Sequence, residues 1–241
     1  MMRLILDTNK GQIELGENTL VFALDDTGHE EFKDRDYQIY GIGGCAFLVK
    51  DYQRLIEIPF NYTCSKYFPD LKRPFHTTDV IRTITKEQIE ALNHLFQKFM
   101  FFRIANIITS KTDNRADIEN IRLTTGTIVN SIKTISEQAE FDRIFVICED
   151  SERTGVKVMN GLFGYKISNG VKTFDIELGL MPKKSCSPAL EIADLIIHTA
   201  GRQTRHRLSG KTKFLPDFES VFKSIDNRLI SFMELTRVVD K

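Results

Sequence analysis

The carboxylates of this 241-residue chain are informative through their addresses rather than their number. Asp25 and Asp26 close the apolar run Leu20-Val21-Phe22-Ala23-Leu24, and Glu149 and Asp150 close the run Ile144-Phe145-Val146-Ile147-Cys148. Asp194 interrupts a third apolar segment, Ile192-Ala193-Asp194-Leu195-Ile196-Ile197. Acids at the ends of adjacent strands converge on one point, and a helix packed beside those ends can add another. Clustered carboxylates repel one another and are stabilised by hard divalent cations, which favour oxygen ligands. Two such ions ~3.5–4 Å apart are a standard device for in-line phosphodiester hydrolysis.

Simpler explanations compete with that chemistry. Chains turn into solvent at strand ends, and acids are common there. At ~100° per residue, Glu191, Asp194, His198, Arg202 and Arg205 share one helical stripe. A solvated face with an Asp194–His198 pair at i, i+4 accounts for part of it. The alternative is that Asp194 faces a metal site and the arginines further along meet phosphate. His76 and Asp79, after Pro74 and Phe75, form a further polar cluster.

The elements that must position these residues alternate between strand and helix, which predicts an α/β fold. Strands are expected over 19–26, 39–49, 101–109, 143–148 and 171–180. Helices are expected over 85–100, 118–139 and 188–207. Thr85 and Gln88 have capping-box spacing. Ser187 followed by Pro188 is a helix start. Residues 124–127, Thr-Thr-Gly-Thr, weaken the second helix, and the tail, 217–239, is expected to hold one or two more helices. One domain over 1–241 is expected, since no repeat or low-complexity linker divides the chain.

Lys plus Arg and Asp plus Glu number 33 each, so any nucleic-acid footprint must be local. Residues 183–213 supply one: seven basic residues against Glu191 and Asp194. Lys183, Lys184, Arg202 and Arg205 are the candidate phosphate contacts, although basic residues near a helix end also complement its dipole. Cys45, Cys64, Cys148 and Cys186 show no Cys-x-x-Cys spacing. No long apolar run suggests a leader or a membrane span, so a reduced cytoplasmic protein is expected.

Four separated segments together resemble the mainly bacterial family catalogued as domain of unknown function 3800. They are Leu24-Asp25-Asp26-Thr27-Gly28, Phe75-His76-Thr77-Thr78-Asp79, Cys148-Glu149-Asp150-Ser151 and Glu191-Ile192-Ala193-Asp194-Leu195, within residues 19–205. Asp26 stands where the family usually has Glu, and Glu191 where it usually has Gln. The resemblance implies a ribonuclease H-like mixed central sheet flanked by helices, with Asp25 on its central first strand. Glu149 or Asp150 would lie on a neighbouring strand, with strand alternation allowing only one into the site; the family pattern favours Glu149. Asp194 would come from the late helix. It further implies Mg²⁺ or Mn²⁺, two ions, with Asp25, Asp26, Glu149, Asp150 and Asp194 as candidate ligands. His76 would assist by proton transfer or by positioning substrate. The expected activity is nucleic-acid hydrolysis. Its alternatives are a non-catalytic nucleic-acid or protein-binding module and a nucleotide phosphohydrolase.

Overall fold

A computed structural model describes residues 3–29, 39–110, 117–151, 155–209, 218–226 and 229–237. Its strands are β1 (Arg3–Thr8), β2 (Gly11–Gly16), β3 (Thr19–Gly28), β4 (Ile39–Leu48), β5 (Phe102–Ser110), β6 (Arg143–Glu149), β7 (Lys166–Ser168), β8 (Thr173–Met181) and β9 (Leu229–Arg237). Its helices are α1 (Ile58–Tyr67), α2 (Thr77–Val80), α3 (Lys86–Lys98), α4 (Asp117–Ser136), α5 (Gly155–Leu162), α6 (Pro188–Ser209) and α7 (Phe218–Asp226). Seven strands form one mixed sheet in the order β7-β8-β6-β3-β4-β5-β9. β3 pairs antiparallel with β4 and parallel with β6, and β6 pairs parallel with β8.

Strand alternation divides β3 between two cores. Val21 and Ala23 face a layer that includes Ile192, Leu195 and Ile196 of α6 and Phe96 of α3. Leu20, Phe22 and Leu24 face the opposite layer, built on Ile128 and Ile132 of α4 and Val158 and Leu162 of α5. Asp25 therefore continues the α6-facing row, and Asp26 the other.

The close seat of α6 depends on two glycines of β4. Gly43 and Gly44 pair with Asp25 and Leu24 across the ladder. A Cβ on Gly44 would stand 1.9 Å from the Ala23 carbonyl oxygen and 2.8 Å from Ala193 Cβ. One on Gly43 would stand 2.3 Å from the Ile104 carbonyl oxygen and 3.0 Å from Ile197 Cδ1. No side chain fits there without displacing backbone, so the strand yields its side chains to the approaching helix. Behind this seat, the fully buried Arg103 donates to the carbonyls of Ser224 and Ile225 at 3.0 Å each, tying the end of α7 to β5.

Local signals explain most of the elements. Thr85 caps α3 with the expected capping box, closed by Gln88. α6 begins at Pro188, with the Glu191 N–H donating to the Ser187 carbonyl. α4 runs unbroken through residues 124–127, where the Thr127 hydroxyl donates to the Thr124 carbonyl at 2.7 Å.

One expectation is overturned. The tail is not all helical: after α7, Leu229–Arg237 is a strand, parallel to β5. A short apolar run does not distinguish helix from strand by itself, and the open edge of β5 supplies the backbone partners that decide it. The β1–β2 hairpin, unanticipated by the sequence, docks on β8 through the Asn9 N–H and the Leu180 carbonyl at 2.8 Å. Residues 210–217 and 238–241, with Lys211, Lys213 and Asp217, lie outside the described residues.

Candidate functional site

The carboxyl ends of β3 and β6 lie side by side. Leu24 pairs with Cys148, which makes Asp25 and Glu149 the next positions along the two strands. Glu149 follows Phe145 and Ile147 on the α6-facing row. A cavity of about 350 Å³ opens there, and Asp25, Asp26, His76, Glu149, Asp194 and His198 all contribute to its wall. The chain thus brings together Asp25 and Asp194, 169 positions apart. Gly28, which also borders the cavity, has φ +79, a conformation that suits glycine and turns the chain out of β3.

Other candidates fall elsewhere. Asp150 is exposed, and its backbone N–H donates to the Met181 carbonyl; it does not line the cavity. Asp79 and Lys184 are exposed and also lie off its wall. Arg202 and Arg205 sit further along α6, half-buried and outside the lining. The Lys183 side chain is outside the described residues.

Asp25 has an unusual electrostatic position. Burial holds its carboxyl well above the usual carboxylate range, and the charges of Asp194, Asp26 and Glu149 push it further up. The Asp26 N–H donates to Asp25 Oδ1 at 2.8 Å and opposes the shift without cancelling it. Among the described residues, the charges that act most strongly on Asp25 are those of acids. A cation would reverse that balance, because it favours the charged form that burial and like charges disfavour. The donor chemistry therefore fits a hard cation. Among the described residues, however, no three His, Cys, Asp or Glu side chains are placed to hold one ion in common.

Asp194 has a second engagement. Its Oδ2 accepts from the Thr77 N–H at 2.7 Å and from the Thr77 hydroxyl at 2.6 Å. Its Oδ1 lies 3.3 Å from His198 Nε2, so the i, i+4 pair of the simpler explanation is present. One turn earlier on α6, the buried Glu191 accepts from the Phe75 N–H at 3.0 Å. Arg73 forks onto Glu191, with Nε 2.6 Å from Oε2 and Nη2 2.6 Å from Oε1. Burial pushes the Glu191 carboxyl up against the pull of Arg73, while the Arg73 pKa also lies above its ordinary value. The forked contact is the geometry of a charged pair, with the larger desolvation cost on its more buried partner.

These contacts form a clamp. Two acids one turn apart on α6 hold the N–H groups on either side of His76, and His76 itself borders the cavity. Arg73 and Thr77 had no identifying signal of their own in the sequence. Thr77 is adjacent to a singled-out histidine, but Arg73 is 118 positions from Glu191. Glu191 was visible only as an added charge beside Asp194; the structure shows what that charge meets.

No protein-family model matches the chain, and no curated protein matches its sequence. Among the described residues, no helix is long and apolar enough to cross a membrane.

Two outcomes follow from this geometry. Arg73→Met should cost about 2–4 kcal/mol in urea unfolding, because it leaves Glu191 buried without its cation. The double variant Arg73→Met/Glu191→Gln should recover part of that loss; equal stability of Arg73→Met and wild type would contradict the clamp. The second outcome concerns pH. A carboxyl whose folded pKa is raised contributes stability that is present below its unfolded pKa, near 3.8, and lost as pH rises through the folded value. In metal-free buffer, Asp25→Asn should therefore gain thermal stability relative to wild type between pH 4 and pH 8. The gain should be roughly 2–4 °C for each kcal/mol relieved. A difference in melting temperature that does not change with pH would count against the repulsion among the acids around Asp25.

Proposed function

We propose that the chain is a divalent-metal-dependent nuclease that hydrolyses phosphodiester bonds at the cavity between the ends of β3 and β6 and the side of α6. The observation that carries this reading is Asp25, a half-buried carboxylate at the cavity wall on which Asp194, Asp26 and Glu149 all act. An arrangement that raises the energy of its own charged form is commonest at functional sites. Asp25 and Glu149, adjacent across two strands, would hold the metal, with Asp26 and Asp194 as the further oxygen donors. Bound Mg²⁺ or Mn²⁺ supplies an activated water and charge stabilisation for the leaving oxygen. The chain's own part is to gather the donors on rigid strand ends and to hold His76 at the cavity for positioning or proton transfer.

The resemblance to the family of domain of unknown function 3800 and a ribonuclease H-like fold belong to the same proposal. A mixed sheet flanked by helices, with Asp25 on a central strand, an acid on its parallel neighbour and Asp194 on a late helix, supports it. Fold alone does not carry the activity.

A second reading also has an observation in its favour. Asp194 is bonded to Thr77 and close to His198, and the acids as placed do not share one ion. That is the state expected of a binding module on the same scaffold, with Asp194 serving structure. A third reading, a nucleotide phosphohydrolase, is compatible with the cavity's size, since ~300 Å³ is already enough for a small ligand.

Purified protein should cleave an oligonucleotide with Mn²⁺ or Mg²⁺ and not with EDTA. Asp25→Asn and Glu149→Gln should each lower that activity at least ~100-fold, since even outer residues of metal sites cost 10–100-fold. Calorimetric Mn²⁺ binding should weaken in parallel. Asp194→Asn should lose folding stability as well, through Thr77. Wild-type Mn²⁺ binding that survives Asp25→Asn and Glu149→Gln unchanged would select the binding module.

A further inference from the structure

The stripe of α6 that carries Glu191 and Asp194 continues past His198 to Arg202 and Arg205. Arg202 is half-buried and makes no hydrogen bond or ion pair among the described residues. A guanidinium has five donors in a fixed fork, and those of Arg202, with no protein acceptor among the described residues, stay open to solvent or to a ligand. Among the described residues, the charged groups that act on Arg202 are Arg205, one turn on, and Arg82, from the turn that follows α2. Burial lowers the Arg202 pKa, and those two cations lower it further.

Helix-end electrostatics do not explain the placement. The dipole's benefit falls off within the last turn, and α6 ends at Ser209, two turns beyond Arg202. His206 and Arg207 already occupy that last turn. Nor is Arg82 there by the logic of α6, since it comes from a separate segment. The bond from Thr77 to Asp194 docks α2 on α6, and Arg82 follows five positions later in the chain. The clamp that presents His76 to the cavity thus also brings Arg82 towards Arg202. Like charges gathered around a half-buried guanidinium are relieved by an anion, above all by one with several acceptor oxygens.

We propose that Arg82, Arg202 and Arg205 form a phosphate subsite beyond the cavity, which takes a backbone phosphate of a nucleic-acid strand whose reacting phosphate lies at Asp25 and Glu149. The identity of the strand rests on the nuclease reading. The subsite adds that the substrate is an oligonucleotide. Arg202 is eight residues from Asp194, ~12 Å along the helix axis at ~1.5 Å per residue. At ~3.4 Å of axial rise per phosphate in a stacked strand, that distance spans three or four phosphates.

The test is binding of 5′-fluorescein-labelled 12-mers, one RNA and one DNA, to the full chain. It is followed by anisotropy in EDTA across a salt series, with unlabelled mononucleotide as competitor. Arg82→Gln/Arg202→Gln should weaken 12-mer binding about tenfold at low salt. It should also shrink the slope of log affinity against log salt by about 0.7, the share of one single-strand phosphate contact. Arg202→Lys should keep most of the slope, and thermal melts report whether each variant is folded. The RNA and DNA arms show which backbone is preferred. Unchanged affinity and slope in the folded double variant would overturn the subsite, as would wild type binding mononucleotide as tightly as the 12-mer. Mn²⁺ titration of the same proteins separates the two claims. If Asp25→Asn leaves metal binding intact while the arginine variants lose their slope, the nuclease reading fails and the phosphate subsite stands. If the arginine variants change nothing while Asp25→Asn abolishes metal binding, the reverse holds.

Discussion

The candidate site depends on the grip of α6 on the segment from Arg73 to Thr77. Glu191 and Asp194 are one helical turn apart, and each carboxylate accepts a backbone N–H from that segment, of Phe75 and of Thr77. Charge-assisted bonds of this kind are short and directional. They fix a stretch of irregular backbone that would otherwise need solvent for its donors. Arg73 stabilises the more buried of the two acids, and the Thr77 hydroxyl adds a bond to the other. His76 at the cavity, α2 against α6, and Arg82 near Arg202 all follow from this one attachment. The glycines at positions 43 and 44 give α6 the close seat on the sheet that the attachment requires.

Charge within the fold is arranged in opposite senses at its two ends of interest. Arg103 and Arg73 are spent on structure, the first on helix-end carbonyls and the second on Glu191. Neither is among the groups that act most strongly on Asp25, which among the described residues are acids. Further along α6 the relation inverts: among the described residues, the charges that act on Arg202 are those of Arg205 and Arg82. Of the clustered acids, Asp194 shares its helical stripe with Arg202 and Arg205, while Asp25 and Glu149 come from the strand ends beside it.

Much of this was legible in the sequence because it is written in local patterns. The apolar runs that end in Asp25 and in Glu149 mark strands whose carboxyl ends meet, and alternation along β6 separates Glu149 from Asp150. The capping box at Thr85 and the Ser187-Pro188 start are short-range chemistry that the fold reproduces. The illegible parts depend on distant contacts. Leu229–Arg237 has no decisive period and becomes a strand because β5 offers an edge. Arg73 is an ordinary surface residue until Glu191 is brought to it. The second role of Asp194, as acceptor for Thr77, has no local signature either, since it joins positions 117 apart.

The most direct measurement is a crystal structure of the protein soaked in Mn²⁺, with anomalous data collected at the manganese edge. The account predicts an anomalous peak in the cavity within ~2.0–2.3 Å of carboxylate oxygens of both Asp25 and Glu149, a separation typical of hard cations with oxygen ligands. Protein that is fully folded at millimolar Mn²⁺, with no peak between those two residues, would contradict it.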